Sequence, residues 1–292
     1  MIAAGLRGVC AAVLTPLTSD LRPDAQKAIP YYRGLLDEGC DALNVLGTTG
    51  EAMSLSVADR LAFMEAVASS GLPRAQMMVG TGASALGDAQ TLTAAAFRLG
   101  FAAALIMPPF FFRDVTDDGV VRYFDKVIEA AQPPPLGIYL YNYPNMSGVR
   151  FHPELVERLM REFPGVIGGI KDSSNDTALQ ETLADAHADL AVFPSSEAYL
   201  SQARQADFAG CISGSVALWP KLAADVWRGE DAQQKRLSAL RSSLAGIPLI
   251  SAVRRITAQR TNDPTWERCI PPLEPLSAQE LQMLQSATEE LL

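Results

Sequence analysis

Short apolar runs, each closed by turn residues and followed by a stretch with helical spacing, recur along the 292-residue chain. They read "GVCAAVLTPL", "ALNVLGTTGE", "QMMVGTGA", "AALIMPPFF", "LGIYLYNYP", "VIGGIKDSS", "LAVFPSS" and "GCISGSVAL", eight in all. Their brevity and their Val, Ile and Leu content mark strands buried on both faces, as in a parallel sheet covered by helices. Between them the periodicity predicts helices over 24–39, 56–71, 85–100, 117–131, 152–163, 176–188 and 197–206. Ser56 with Asp59 three residues on is a start signal, and Gly39 and Gly100 are stop signals. Eight strands alternating with helices, spaced by about 20 to 35 residues, predict an α/β fold, a (β/α)8 TIM barrel, rather than an open doubly wound sheet. The eighth unit ends near 230, so 1–230 is the expected barrel and 231–292 a C-terminal helical extension packed on it, one domain overall. Helices are expected within 231–262 and 277–292, linked by "TNDPTWERCIPPLEPLS".

Composition narrows the function. The chain is 48% hydrophobic and 20% charged, with no uninterrupted apolar run near the roughly 18 residues that cross a bilayer. The opening "MIAAGLRGVCAAVLTPLTSD" reads as a first buried strand rather than a secretory leader, because "TPL" breaks its apolar part. A net charge of −9 leaves no basic stripe, which excludes a nucleic-acid partner and favours small molecules. Cys10, Cys40, Cys211 and Cys269 lack CxxC spacing, and His152 and His187 are the only histidines, so no zinc-type metal site is expected. The thiols read as buried and reduced, which points to a cytoplasmic protein.

In such barrels chemistry sits where strands end and βα loops begin. Those ends are polar here: "GTTGE", "YNYPNMSG", "IKDSS", "PSSEA" and "ISGS". Of the five lysines, Lys171 alone ends a buried strand. It is either a strand-ending lysine whose stem packs while its ammonium reaches solvent, or a desolvated amine fit to attack a carbonyl and form a Schiff base. Tyr141 lies thirty positions earlier, one βα unit away, so the two can converge; strand alternation puts Tyr141 and Tyr143 on one face with Asn142 on the other, and Lys171 with Ser173 against Asp172. Tyr141 is otherwise an aromatic core filler. Asp172 reads as structural, bonded outside the barrel. "LGTTGE" is either turn chemistry or a small nest of N–H groups and hydroxyls for a carboxylate.

Taken together, "GTTGE" after the second strand, "YNYPxxSG" after the fifth and "GIKDSS" after the sixth resemble the pyruvate-dependent Schiff-base family that includes dihydrodipicolinate synthase and N-acetylneuraminate lyase. The likeness covers nearly the whole barrel. It implies a homotetramer, a dimer of dimers, in which Lys171 forms an imine with the 2-oxo group of pyruvate or a pyruvate-derived substrate, with no metal or dissociable cofactor. Tyr141 would be the acid/base and Thr48 would relay its proton. Gly47 and Thr49 with its amide would hold the carboxylate, and Ile212 would offer its carbonyl near the pyruvate methyl. Ser173, Ser195, Ser196, Glu197 and Ser213 are candidates for the rest of the substrate, since hydroxyls suit a polyhydroxylated chain; the alternative is that serines simply end strands.

The chain departs from the family pattern at two positions. The synthase that condenses pyruvate with aspartate semialdehyde has an arginine where this chain has Met146. Family members often supply a relay tyrosine across the dimer interface from the loop "PPFFFRDVTDDG", where this chain has Phe111, and three phenylalanines there read as an interface plug. The expected activity is a class I aldolase or lyase that cleaves a 2-oxo-3-deoxy sugar acid or sialic-acid-like compound to pyruvate and an aldehyde. The alternatives are dihydrodipicolinate synthase, a deoxy-sugar-acid dehydratase, and a catalytically silent 2-oxo-acid binding protein.

Overall fold

The computed structural model describes residues 5–289; the first four residues of the expected barrel and the last three of the expected tail lie outside the described residues. Each of the eight apolar runs holds a strand: β1 Gly8–Ala12, β2 Ala42–Val45, β3 Met77–Gly80, β4 Ala103–Ile106, β5 Ile138–Asn142, β6 Ile167–Asp172, β7 Ala191–Pro194 and β8 Gly210–Ser213. All ladders are parallel, in the order β7-β6-β5-β4-β3-β2-β1-β8. The ring closes where the amide of Ala209, just ahead of β8, donates to the Val192 carbonyl of β7 at 2.9 Å. The fold is therefore the (β/α)8 barrel that the periodicity predicts.

Alternation sorts the side chains into two layers. Cys10, Ala12, Met78, Leu105, Phe193 and Ile212 belong to the cluster that fills the barrel. Their neighbours Val9, Leu43, Val79 and Cys211 face outward against the helices. Gly210 has φ +140°, and a Cβ there would lie 1.8 Å from the Gly8 carbonyl oxygen, so only glycine lets β8 approach β1 this closely. At the N-terminal mouth the Tyr139 hydroxyl accepts from the Leu6 amide at 3.0 Å and helps to close that end.

The helix starts follow the sequence signals. Ser56 accepts from the Asp59 amide at 3.1 Å, and Thr116 from the Gly119 amide at 3.2 Å. The stretch expected as one helix over 197–206 is instead a turn of 3-10 helix, Glu197–Tyr199, followed by a helix, Leu200–Gln205. The Glu197 side chain is fully buried there. Beyond the barrel come helices Gln234–Ser242, Leu249–Thr261 and Ala278–Glu289; Val253 of the second, with Leu244, Ile247 and Trp266 of the connecting segments, packs in one cluster with Leu14 and Leu218. The expected helical stretch over 231–262 breaks at 243–248, where Pro248 starts the second helix.

Candidate active site

Lys171 faces the barrel axis and is 5% exposed. Its register partner on β5 is Tyr141, and its Nζ stands 4.5 Å from the centroid of the Tyr141 ring. Lys27, Lys126 and Lys221 meet carboxylates at 2.7, 2.7 and 2.9 Å. Lys171 has no carboxylate partner among the described residues. Burial by itself raises the Tyr141 phenol, but the Lys171 ammonium, with hydrogen bonding from Thr48, Ser173 and Lys171, outweighs it and holds the phenol below the usual tyrosine range. Tyr143 stacks beside it at a tilt, centroids 5.8 Å apart.

The loop after β2 brings Thr48 to this pair. Thr48 Oγ1 lies 3.3 Å from the Tyr141 hydroxyl. The loop folds on itself through Gly50 N to Gly47 O at 3.1 Å and Glu51 N to Thr48 O at 3.0 Å. Among the described residues the amides of Thr48 and Thr49 donate to no acceptor, which leaves two adjacent N–H groups for an anion. Thr49 is buried against Gly214 after β8; a Cβ at Gly214 would sit 2.7 Å from its Oγ1. Ile212, fully buried, belongs to the cluster inside the barrel.

Three braces, of which only Asp172 was singled out in the sequence, hold these strand ends. Asp172 faces outward, as the alternation predicts, and accepts from Asn142 Nδ2 at 2.5 Å, Gln180 Nε2 at 2.6 Å and Ser174 Oγ at 2.8 Å. Asn142 in turn accepts from the Phe151 amide at 3.1 Å, so the ends of β5 and β6 are tied together behind the site. Glu51, at φ +54°, is buried; its Oε1 takes Arg254 Nε at 2.6 Å and its Oε2 the Ile270 amide at 2.8 Å. Arg254 also donates to Thr15 O at 2.9 Å and Trp266 O at 3.2 Å, so one guanidinium anchors the β2 loop to β1 and to the C-terminal helices. Arg60, buried and pulled down to about 10 by desolvation, donates to the carbonyls of Gly80 at 2.8 Å and Gly82 at 3.3 Å at the end of β3. Alternation put Asn142 and Asp172 each on the outer face of its strand but did not pair them; the two arginines sit in ordinary helical patterns and gave no sign.

Two of the expected substrate contacts, Glu197 and Ser213, are enclosed in the structure. Glu197 is 0% exposed, and its Oε1 accepts from Ser215 Oγ at 2.7 Å and Trp219 Nε1 at 2.8 Å. Ser213 lies in the outward register of Cys211, 1% exposed, with its Oγ 3.1 Å from Ser215 Oγ. Through Ser215 the two side chains join one buried polar cluster. Ser173 and Ser195 are half-buried at the strand ends, and Ser196 caps the turn after β7 by accepting from the Ala198 amide at 3.2 Å. Met146, 52% exposed, rides on the short helix Pro144–Ser147 after β5. Phe111 and Phe112 are 77% and 72% exposed on the β4 loop, packed edge to face. No group of three or more His, Cys, Asp or Glu positioned for a metal ion occurs among the described residues.

The Dihydrodipicolinate synthetase family model matches residues 5–291. An uncharacterized DapA-like lyase of Chloroflexus aurantiacus is 34% identical over 98% of this chain and 97% of its own. An N-acetylneuraminate lyase of Enterobacter sp. is 28% identical over 82% of this chain and 80% of its own. The crystal structure of dihydrodipicolinate synthase from Agrobacterium tumefaciens superposes with a TM-score of 0.90 at 29% identity, covering 97% of this chain and 99% of that one. With eight strands, a buried lysine beside a tyrosine, and a family match over almost all its length, the chain belongs to the dihydrodipicolinate synthetase family and is a carbon–carbon lyase.

Proposed function

We propose that the protein is a class I aldolase that cleaves a 2-oxo-3-deoxy sugar acid or sialic-acid-like substrate to pyruvate and an aldehyde. The observation that carries this reading is the pairing of buried Lys171, which meets no carboxylate, with Tyr141, whose ring lies 4.5 Å from Nζ. Lys171 Nζ adds to the 2-oxo carbon, and loss of water from the carbinolamine leaves a protonated imine. Tyr141, as phenolate, takes the proton of the C4 hydroxyl. The C3–C4 bond breaks, its electron pair passes to the imine to give an enamine, and the aldehyde departs. Reprotonation at C3 and addition of water return pyruvate and the free amine. Thr48 hands the proton on, and the amides of Thr48 and Thr49, with Gly47 leaving the loop open, hold the carboxylate. The Ile212 carbonyl faces the pyruvate methyl, while Ser173, Ser195 and Ser196 meet the hydroxylated remainder.

Met146 favours the lyase over condensation with aspartate semialdehyde, because a thioether offers nothing to a second carboxylate. The synthase is the second reading, favoured by the likeness to the Agrobacterium enzyme. The exposed phenylalanines of the β4 loop fit burial against a second copy, in keeping with a homotetramer, and four unpaired thiols fit a reducing cytoplasm. No helix among the described residues is long and apolar enough to cross a membrane.

The test is borohydride reduction in the presence of pyruvate, followed by peptide mapping. An adduct on Lys171, and turnover on a panel of 2-oxo-3-deoxy acids exceeding turnover with aspartate semialdehyde, is the expected result. An adduct on another lysine, or none, sinks the imine mechanism and favours a silent binder.

A further inference from the structure

Asn44 lies on β2 between Leu43 and Val45, which both face outward. It therefore faces the barrel axis, like Ala42 two residues before it. It is 0% exposed, and neither Oδ1 nor Nδ2 has a hydrogen-bond partner among the described residues. A buried carboxamide in that state is costly, and native interiors seldom keep one without a purpose.

Its height in the barrel suggests the purpose. Hydrogen-bond register around an eight-stranded barrel of this kind slips by about one residue per strand relative to the barrel axis. The ladder leads from Asn44 to Met78 and Ala103, then one residue short of the Ala104–Ile138 and Ile138–Ile167 pairs. Restoring a slip of about four residues brings the line to Ile170 and Lys171. Asn44 thus faces Lys171 across the barrel at one level; its partners are Ala12 on β1 and Met78 on β3, and Gly80 follows Met78. The carboxamide also touches the loop that carries Thr48 and Thr49. A Cβ at Gly47 would fall 2.2 Å from Asn44 Oδ1, so glycine is needed there because the carboxamide occupies that space. With Oδ1 against Gly47, the amide nitrogen is the group left for a ligand.

We propose that Asn44 is a substrate-positioning residue whose carboxamide donates to the carboxylate of the bound 2-oxo acid, beneath the amides of Thr48 and Thr49. The assignment rests on the imine reading given above. A carboxylate supplies the acceptor that the protein does not, in a place shielded from water, where a hydrogen bond to a charged group is strong.

The experiment measures the pyruvate concentration at which half of the protein is trapped at Lys171 by borohydride, together with thermal unfolding of the free protein, for the unsubstituted chain, Asn44→Val and Asn44→Asp. Asn44→Val is expected to unfold at the same or a higher temperature, because an unsatisfied polar group is gone, yet to need roughly tenfold to a hundredfold more pyruvate. Asn44→Asp keeps the shape, sets like charge against the carboxylate, and is expected to lose at least as much. Half-trapping at the unsubstituted concentration in either folded variant overturns the proposal. If Asn44→Val does not fold, Asn44→Asp decides by the same criterion. Failure of the unsubstituted chain to form the Lys171 adduct overturns the imine reading and this assignment with it, and is distinguished by appearing before any substitution.

Discussion

The Thr48 and Tyr141 hydroxyls stand 3.3 Å apart although 93 residues separate them and their strands, β2 and β5, share no ladder. Only the curvature of the barrel brings the two strand ends together over Lys171.

Tyr141→Phe keeps the ring on which Lys171 packs, so the fold and imine trapping should survive while turnover falls roughly a hundred- to ten-thousandfold. Steady-state rates measured beside adduct yields check this, and near-normal turnover would return Tyr141 to a packing role. Thr48→Val removes one of the hydrogen bonds that favour the phenolate. The alkaline rise of kcat/KM should therefore move to higher pH in that variant; an unmoved profile would show that Thr48 does not act on Tyr141.

Arg254→Met would leave the Glu51 carboxylate buried without its partner, in a pair whose side chains are 1% and 0% exposed. A loss of about 3–5 kcal/mol is expected from denaturant unfolding. Glu51→Gln, which keeps the Ile270 contact, should cost less. Equal and small losses would mean that the β2 loop holds its shape without this ion pair.

Asp172→Leu would strand the donors of Asn142, Gln180 and Ser174, at about 1–3 kcal/mol for each group left buried and unpaired. Urea unfolding reads the loss. Because the same carboxylate ties β5 to β6, trapping at Lys171 should also slow; an unchanged trapping rate in a destabilised variant would confine Asp172 to stability.

Met146→Arg places a cation on the exposed short helix after β5 and should raise condensation of pyruvate with aspartate semialdehyde. A coupled assay on both proteins checks it. Strong condensation by the unsubstituted protein would overturn the weight given to this position.

The ring nitrogens of His152 lie 2.8 Å from Glu154 Oε2 and 3.0 Å from Asp117 Oδ2, and the imidazolium donates to both carboxylates. Partial burial lowers its pKa, but hydrogen bonds to the two carboxylates outweigh it and the pKa is raised. A raised folded pKa stabilises below the unfolded value, near 6.5, and the contribution is lost as pH climbs through the folded value. The stability gap between the unsubstituted chain and His152→Gln should accordingly be wider at pH 5.5 than at pH 8.5, and a gap independent of pH would exclude the imidazolium as its source.

The eight strands, the barrel and the place of Lys171 at the end of a buried run were legible in the sequence, because periodicity and turn chemistry are local and each run carries its own. Alternation also assigned Asp172 to the outer layer correctly. The same rule, applied from Ile212, puts Ser213 outside, yet the hydroxyl chemistry of "ISGS" suggested otherwise. Glu197 had no such rule, since it follows a strand on an irregular turn where side-chain direction has no period. What only the tertiary structure decided were pairings across long separations: Thr48 with Tyr141, Asn142 with Asp172, and Arg254 with Glu51 over 203 residues. These depend on barrel shear and on which helix face meets which loop, both properties of the closed ring. The alternation in "ALNVLG" assigns Asn44 to the barrel interior, but that its carboxamide finds no partner there is a fact about every neighbour at once, and no single stretch of sequence contains it.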